Sequence, residues 1–125
     1  MKFGFIGAGN MGTAIIKGYL LVHPGEGKNF FTFDRDESRL KRLSEELGIV
    51  PCGSLEALMQ NSDTIVLAVK PNNFDEIIPG ISPFYRESQV IVSIAAGISM
   101  GYIEKSMGRD GVKVVRVMPN TPAMV

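Results

Sequence analysis

Three glycines within six residues, in Gly7-Ala8-Gly9-Asn10-Met11-Gly12, separate a short apolar run from a helical pattern and leave the chain few ways to fold. Lys2 to Ile6 puts Phe3 and Phe5 on one side and Gly4 and Ile6 on the other, as suits a buried first strand. From Met11 onward Ala14, Ile15, Gly18, Tyr19 and Val22 recur at the spacing of one helix face. A strand that passes into a helix through so short a turn must pack that helix back against its own sheet, which is where residues without a Cβ are needed.

The remainder repeats the same alternation. His23, Pro24, Gly25 and Gly27 end the first helix, and Asn29 to Asp34 reads as a second strand. Within Glu37 to Leu47, Leu40, Leu43 and Leu47 share a face, while Lys41 with Glu45 and Arg42 with Glu46 are expected to pair four apart on the other; Gly48 stops the helix. Ile49 and Val50 supply a brief third strand, and Ser54 is placed to cap a short helix carrying Leu55, Leu58 and Met59. Thr64 to Val69 and Gln89 to Ile94 are continuous apolar runs suited to strands covered on both faces. Between them Phe74, Ile77, Ile78 and Ile81 have helical spacing, and Pro79 is expected to kink or break that helix. Ser99 caps a last helix lined by Met100, Ile103 and Met107 and ended by Gly108, before a sixth strand from Lys113 to Val117.

Parallel crossovers are right-handed and place helices on both sheet faces, so an α/β, doubly wound, Rossmann-like parallel sheet of about six strands in the order 3-2-1-4-5-6 is expected. The 125 residues suit a single domain over 1–125. With 45% hydrophobic and 21% charged residues the chain is too apolar for a disordered segment.

The glycine stretch fits G-x-G-x-x-G in the strand-to-helix context that a dinucleotide fingerprint requires. Gly7 permits the tight turn, Gly9 lets the backbone approach a pyrophosphate, and Gly12 allows close helix packing. Amides around Gly9 to Met11 and the helix dipole favour a phosphate there. Asp34 follows at the end of the second strand, where an acid accepts from ribose hydroxyls and repels a 2′-phosphate, so NADH is expected over NADPH. Arg35 offers the alternative of stacking on adenine or meeting a 2′-phosphate. At the strand ends Ala68-Val69-Lys70-Pro71, Ala95-Ala96-Gly97 and Met118-Pro119-Asn120-Thr121-Pro122 should converge on the same crevice.

Together Phe5 to Met11, Leu67-Ala68-Val69-Lys70-Pro71, Val92 to Ile98 with its Ala95-Ala96-Gly97, and Val115 to Ala123 with Met118-Pro119-Asn120-Thr121-Pro122 resemble, in order, the pyrroline-5-carboxylate reductase family. The resemblance covers nearly the whole chain, and its later segments are more specific than the glycine motif. It implies NAD(P)H-dependent reduction of the carbon–nitrogen double bond of 1-pyrroline-5-carboxylate to L-proline. It also implies that Gly7 to Gly12, including Ala8, Asn10 and Met11, hold pyrophosphate and that Asp34 and Arg35 take the adenosine side. Ser54 would approach the adenine end, Ala68, Val69, Lys70, Pro71 and Ala96 would flank the cofactor, and Asn120 would lie near the substrate. The family continues into a helical C-terminal domain that forms a homo-oligomer and supplies the substrate-side groups; that domain is expected to be absent from this chain, leaving its catalytic residues unassigned.

Other readings are a hydroxyacid dehydrogenase domain with a similar opening, which does not account for Met118 to Pro122, and a non-catalytic dinucleotide-binding module. Thirteen Lys and Arg balance thirteen Asp and Glu without like-charge blocks, so no nucleic acid or membrane partner is expected. No leader pattern precedes the first strand, and Cys52 is the single cysteine, so the expected compartment is the cytoplasm. Cys52 reads as a buried filler and His23 as a surface turn residue; no metal site is expected.

Overall fold

A computed structural model describes residues 1–95 and 97–117. Its six parallel strands are β1 (Phe3–Ile6), β2 (Phe30–Phe33), β3 (Val50–Pro51), β4 (Thr64–Leu67), β5 (Val90–Ser93) and β6 (Lys113–Arg116). They lie in the order β3-β2-β1-β4-β5-β6, the order expected from the glycine turn and the crossovers. The helices between them are α1 (Asn10–Val22), α2 (Glu37–Leu47), α3 (Leu55–Asn61), α4 (Phe74–Ile81) and α5 (Met100–Met107).

Local chemistry accounts for most of the boundaries. Asp36, Ser54 and Ser99 cap α2, α3 and α5, each side chain accepting from the backbone N–H three residues on, as orphan first-turn amides require. Gly48 and Gly108 end α2 and α5 in the left-handed conformation. The strands are shorter than their apolar runs. β4 stops at Leu67 because Ala68, whose N–H still reaches the Ile6 carbonyl, begins the turn into the 3-10 segment Pro71–Asn73.

Two cores sit on opposite faces of the sheet. Phe5, Ile16, Phe30, Leu40, Leu43 and Val66 join α1 and α2 to one face. Ile65, Leu67, Ile91, Phe74, Ile78 and Ile103 join α3, α4 and α5 to the other. Among the described residues the first face is covered only over one half of the sheet: Val115 and Val117, at its β6 end, are 46% and 41% exposed.

Two local expectations are corrected. Pro79 does not end α4, which runs on to Ile81 and into a 3-10 turn, Ser82–Phe84. Pro79 lies on the exposed side while Phe74, Ile77, Ile78 and Ile81 are buried, so the inner face keeps the helix seated despite the missing N–H. The Lys41–Glu45 and Arg42–Glu46 pairs are not among the ion pairs of the described residues. Glu46 instead meets Lys17 of α1 at 3.3 Å, because α1 and α2 pack side by side and bring an outside partner within reach.

Candidate functional site

The turn after β1 is built from three glycines that answer to different demands. Gly7 has φ +97°, and a Cβ there would lie 2.7 Å from the Ala68 carbonyl oxygen, so both its backbone and its neighbour exclude a side chain. A Cβ on Gly12 would lie 2.9 Å from the Gly7 carbonyl oxygen, which makes it the residue that lets α1 close on the turn. Gly9 is different. Its φ of −73° suits any residue, and nothing lies within 4 Å of where its Cβ would stand.

Gly9 is also the N-cap of α1, with no side-chain cap and no acidic residue in the first turn. The first amides of a thirteen-residue helix are thereby left to an outside acceptor, in the field of the helix dipole. The turn itself is braced. Thr13 Oγ1 donates to the Ala8 carbonyl at 2.9 Å, Gly7 N donates to the Phe33 carbonyl at 2.8 Å, and Ala8 N donates to Asp34 Oδ2 at 2.6 Å.

A cavity of about 290 Å³ opens at the carboxyl ends of β1, β2 and β4. Gly7, Gly9, Asp34 and Arg35 line one side, Ala68, Val69 and Lys70 the other, with Asn73 and Ile77 from the start of α4. That is the crevice where open α/β sheets take their ligands. A second groove, between α1 and α2, is lined by Ala8, Gly9, Asn10 and Thr13 together with Lys17, Arg39, Arg42 and Glu46. Arg39 and Gly9 belong to both.

The carboxylate of Asp34 is 9% exposed, and both oxygens are engaged: Oδ2 by Ala8 N and, at 3.4 Å, by Arg39 Nη1, and Oδ1 by Asp36 N at 2.8 Å. The expectation of an acid open to a ribose therefore meets a group turned inward onto the glycine turn, because the tight β1–α1 turn presents an amide that needs an acceptor. Arg35 points across the cavity and contacts Glu76 of α4. Lys70 is exposed on the cavity wall. Ser54 stands apart, its hydroxyl occupied as the cap of α3, and Met11, Gly12 and Pro71 are outside the cavity lining. Ala96 and Asn120 lie outside the described residues.

Arg39 was not apparent from the sequence as a site residue. It stands three residues after the capping Asp36, in the turn of α2 that faces back to the end of β2, a placement that no motif marks. Thr13 was likewise missed, because a hydroxyl that braces a turn has no periodic signature. No group of His, Cys, Asp and Glu among the described residues could hold a metal, and no described helix is long and apolar enough to cross a membrane.

Residues 2–97 match the family described as NADP oxidoreductase coenzyme F420-dependent. The pyrroline-5-carboxylate reductase of Escherichia coli (strain K12) is 35% identical over 127 residues, covering 99% of this chain and 46% of that protein. A crystal structure of Plasmodium falciparum pyrroline carboxylate reductase with NADP bound superposes with a TM-score of 0.82 at 31% identity, covering 99% of this chain and 44% of that one. A pyrroline-5-carboxylate reductase structure from Coxiella burnetii gives 0.87 at 28% identity, covering 98% of this chain and 45% of that one. The chain thus spans about half the length of the curated relatives it matches.

Proposed function

Since the chain belongs to the family described as NADP oxidoreductase coenzyme F420-dependent, we propose that residues 1–125 act as the dinucleotide-binding domain of a pyrroline-5-carboxylate reductase. The observation that carries this reading is Gly9. The protein's own packing and backbone explain Gly7 and Gly12, whereas nothing among the described residues explains the absence of a Cβ at Gly9, beside uncapped amides and facing the cavity. A pyrophosphate lying on the turn accounts for it. The likeness to reductases of that name supplies the substrate, 1-pyrroline-5-carboxylate, and the product, L-proline.

The residues present fit such a cofactor. Gly7 to Gly12 would hold the pyrophosphate, Arg35 would meet the adenosine end, and Ala68, Val69 and Lys70 would form the opposite wall, keeping water off that side. When bound, the nicotinamide supplies the hydride that adds to the imine carbon. This chain's part is to fix the position of that donor, and positioning of two reactants is a large share of what such a reaction needs. Roles for Ser54, Ala96 and Asn120 rest on the family resemblance alone.

For the choice of cofactor, the acid at the end of β2 supports NADH. A second reading, NADPH, is supported by the engagement of both Asp34 oxygens and by Arg35 and Arg39 in the same cavity wall. Association between copies is supported by the exposed Val115 and Val117 on the uncovered half of the sheet. Sedimentation of a concentrated sample is expected to show a species larger than the monomer, and Val115→Lys is expected to reduce it.

The deciding experiment is a fluorescence titration with NADH and, separately, NADPH. Saturable binding that Gly9→Ala weakens is expected. A folded chain that binds neither would refute the reading, and a longer protein that joins these residues to a helical C-terminal domain and binds dinucleotide without reducing pyrroline-5-carboxylate would reduce it to a binding module.

A further inference from the structure

Arg35 lines one wall of the strand-end cavity, and Glu76 stands beside the other, next to the lining Ile77. Arg35 follows β2 on the wall that carries Asp34, and Glu76 belongs to the first turn of α4, the element whose Ile77 lines the other wall. The guanidinium Nη2 and the carboxylate Oε2 are in contact, so the two side chains form a bridge from the end of β2 to the first turn of α4. The core does not require this bridge. α4 is seated by Phe74, Ile77, Ile78 and Ile81, and both members of the pair are largely solvated, 54% and 69% exposed. Nor is Arg35 engaged by the neighbouring acid, since the ion-pair partner of Asp34 is Arg39. Glu76 is the one carboxylate paired with Arg35 among the described residues.

Resting on the dinucleotide reading above, we propose that Glu76 is a positioning residue that competes with a nucleotide phosphate for Arg35. It thereby sets how strongly the protein distinguishes a 2′-phosphorylated adenosine from an unphosphorylated one. A guanidinium offers the same planar fork to a carboxylate as to a phosphate, so occupation by one excludes the other. A 2′-phosphate must first break the Arg35–Glu76 contact and then sit near the released carboxylate, whose charge opposes it. Both effects lower affinity for the phosphorylated ligand. An adenosine without that phosphate leaves the bridge in place and loses nothing.

The test uses calorimetric titration with adenosine 2′,5′-bisphosphate and with 5′-AMP, which differ only in the 2′-phosphate. Glu76→Gln is expected to tighten the bisphosphate about three- to tenfold, a range set by a solvated ion pair and a charge-assisted contact, and to leave 5′-AMP within about twofold. In an Arg35→Ala background the same substitution is expected to give a much smaller gain, since only the repulsion by the carboxylate charge is then relieved. Glu76→Asp, which keeps the charge, should restore wild-type discrimination, and salt raised to about 0.5 M should shrink the gain. Far-ultraviolet circular dichroism and melting curves check that each variant is folded. An unchanged ratio of the two affinities in Glu76→Gln, an equal tightening of both ligands, or a gain undiminished by loss of Arg35 would each overturn the proposal. If wild type binds both ligands and Glu76→Gln is silent, the dinucleotide reading stands without it; if wild type binds neither, both fall.

Discussion

Three residues of one type, within one turn, separate structural demand from ligand demand. Gly7→Ala forces a side chain into a left-handed conformation and against the Ala68 carbonyl, and is expected to cost about 2–3 kcal/mol, read as a lower urea midpoint. Gly9→Ala meets neither obstacle and is expected to change stability by less than about 0.5 kcal/mol. Its affinity for dinucleotide should nonetheless fall about tenfold or more, because the new methyl occupies the space through which a pyrophosphate reaches the amides. Cys52 gives a second residue-scale outcome. Burial pushes its thiol up from 9.0, outweighing the opposing hydrogen bond involving the Thr32 backbone. The folded chain therefore holds the proton more tightly than the unfolded one, and this contribution to stability is intact below the ordinary thiol value and lost as pH rises through the raised one. Alkylation at pH 8 should be slow until denaturant is added, and Cys52→Ala should flatten the alkaline loss of stability.

Among the elements, α4 departs furthest from what its sequence implies. Pro79 cannot donate to the Asp75 carbonyl, yet the helix continues, which means that the burial of four large side chains outweighs one missing bond. Pro79→Ala is expected to raise stability by about 1–3 kcal/mol in urea unfolding, and a decrease would show that the fixed backbone angle of the ring contributes more than the bond it removes. Where an element is governed by its own residues, the sequence was a sufficient guide. The caps at Ser54 and Ser99, the stops at Gly48 and Gly108 and the strand order all follow from local chemistry or from the handedness of crossovers. Where a neighbour from another element decides, it was not. Glu46 finds Lys17 rather than Arg42, and Asp34 finds the amide of Ala8, because only the packed fold brings those groups together. The candidate site divides in the same way. Its glycine turn and strand-end segments were legible, but Arg39 lines it, and Glu76 reaches its Arg35, from helix turns that carry no motif.

At the scale of the whole molecule, the cavity joins the carboxyl ends of three strands, so a ligand that fills it binds only the assembled sheet. Dinucleotide at about a hundred times its Kd is expected to add about 2.7 kcal/mol, seen as a rise in Tm of about 10 °C, with about half that rise or less in Gly9→Ala at the same concentration. The register within that sheet is uniform. Phe3 of β1 pairs with Phe30 on one side and Thr64 on the other, and Ile6 with Phe33 and Leu67. Among the described residues no strand pairs with its neighbour through a hairpin, and each pairing closes a long loop, which places the fold among those that form slowly. During synthesis β1 leaves the ribosome first, but its second partner follows some sixty residues later, the sequence distance that separates Lys2 from Asp63. Until then Gly7 lacks the wall that Ala68 provides. A nascent chain therefore carries its glycine turn unfinished through the translation of some sixty residues, and under the dinucleotide reading nucleotide in the surrounding solution can help it fold only after β4 has emerged.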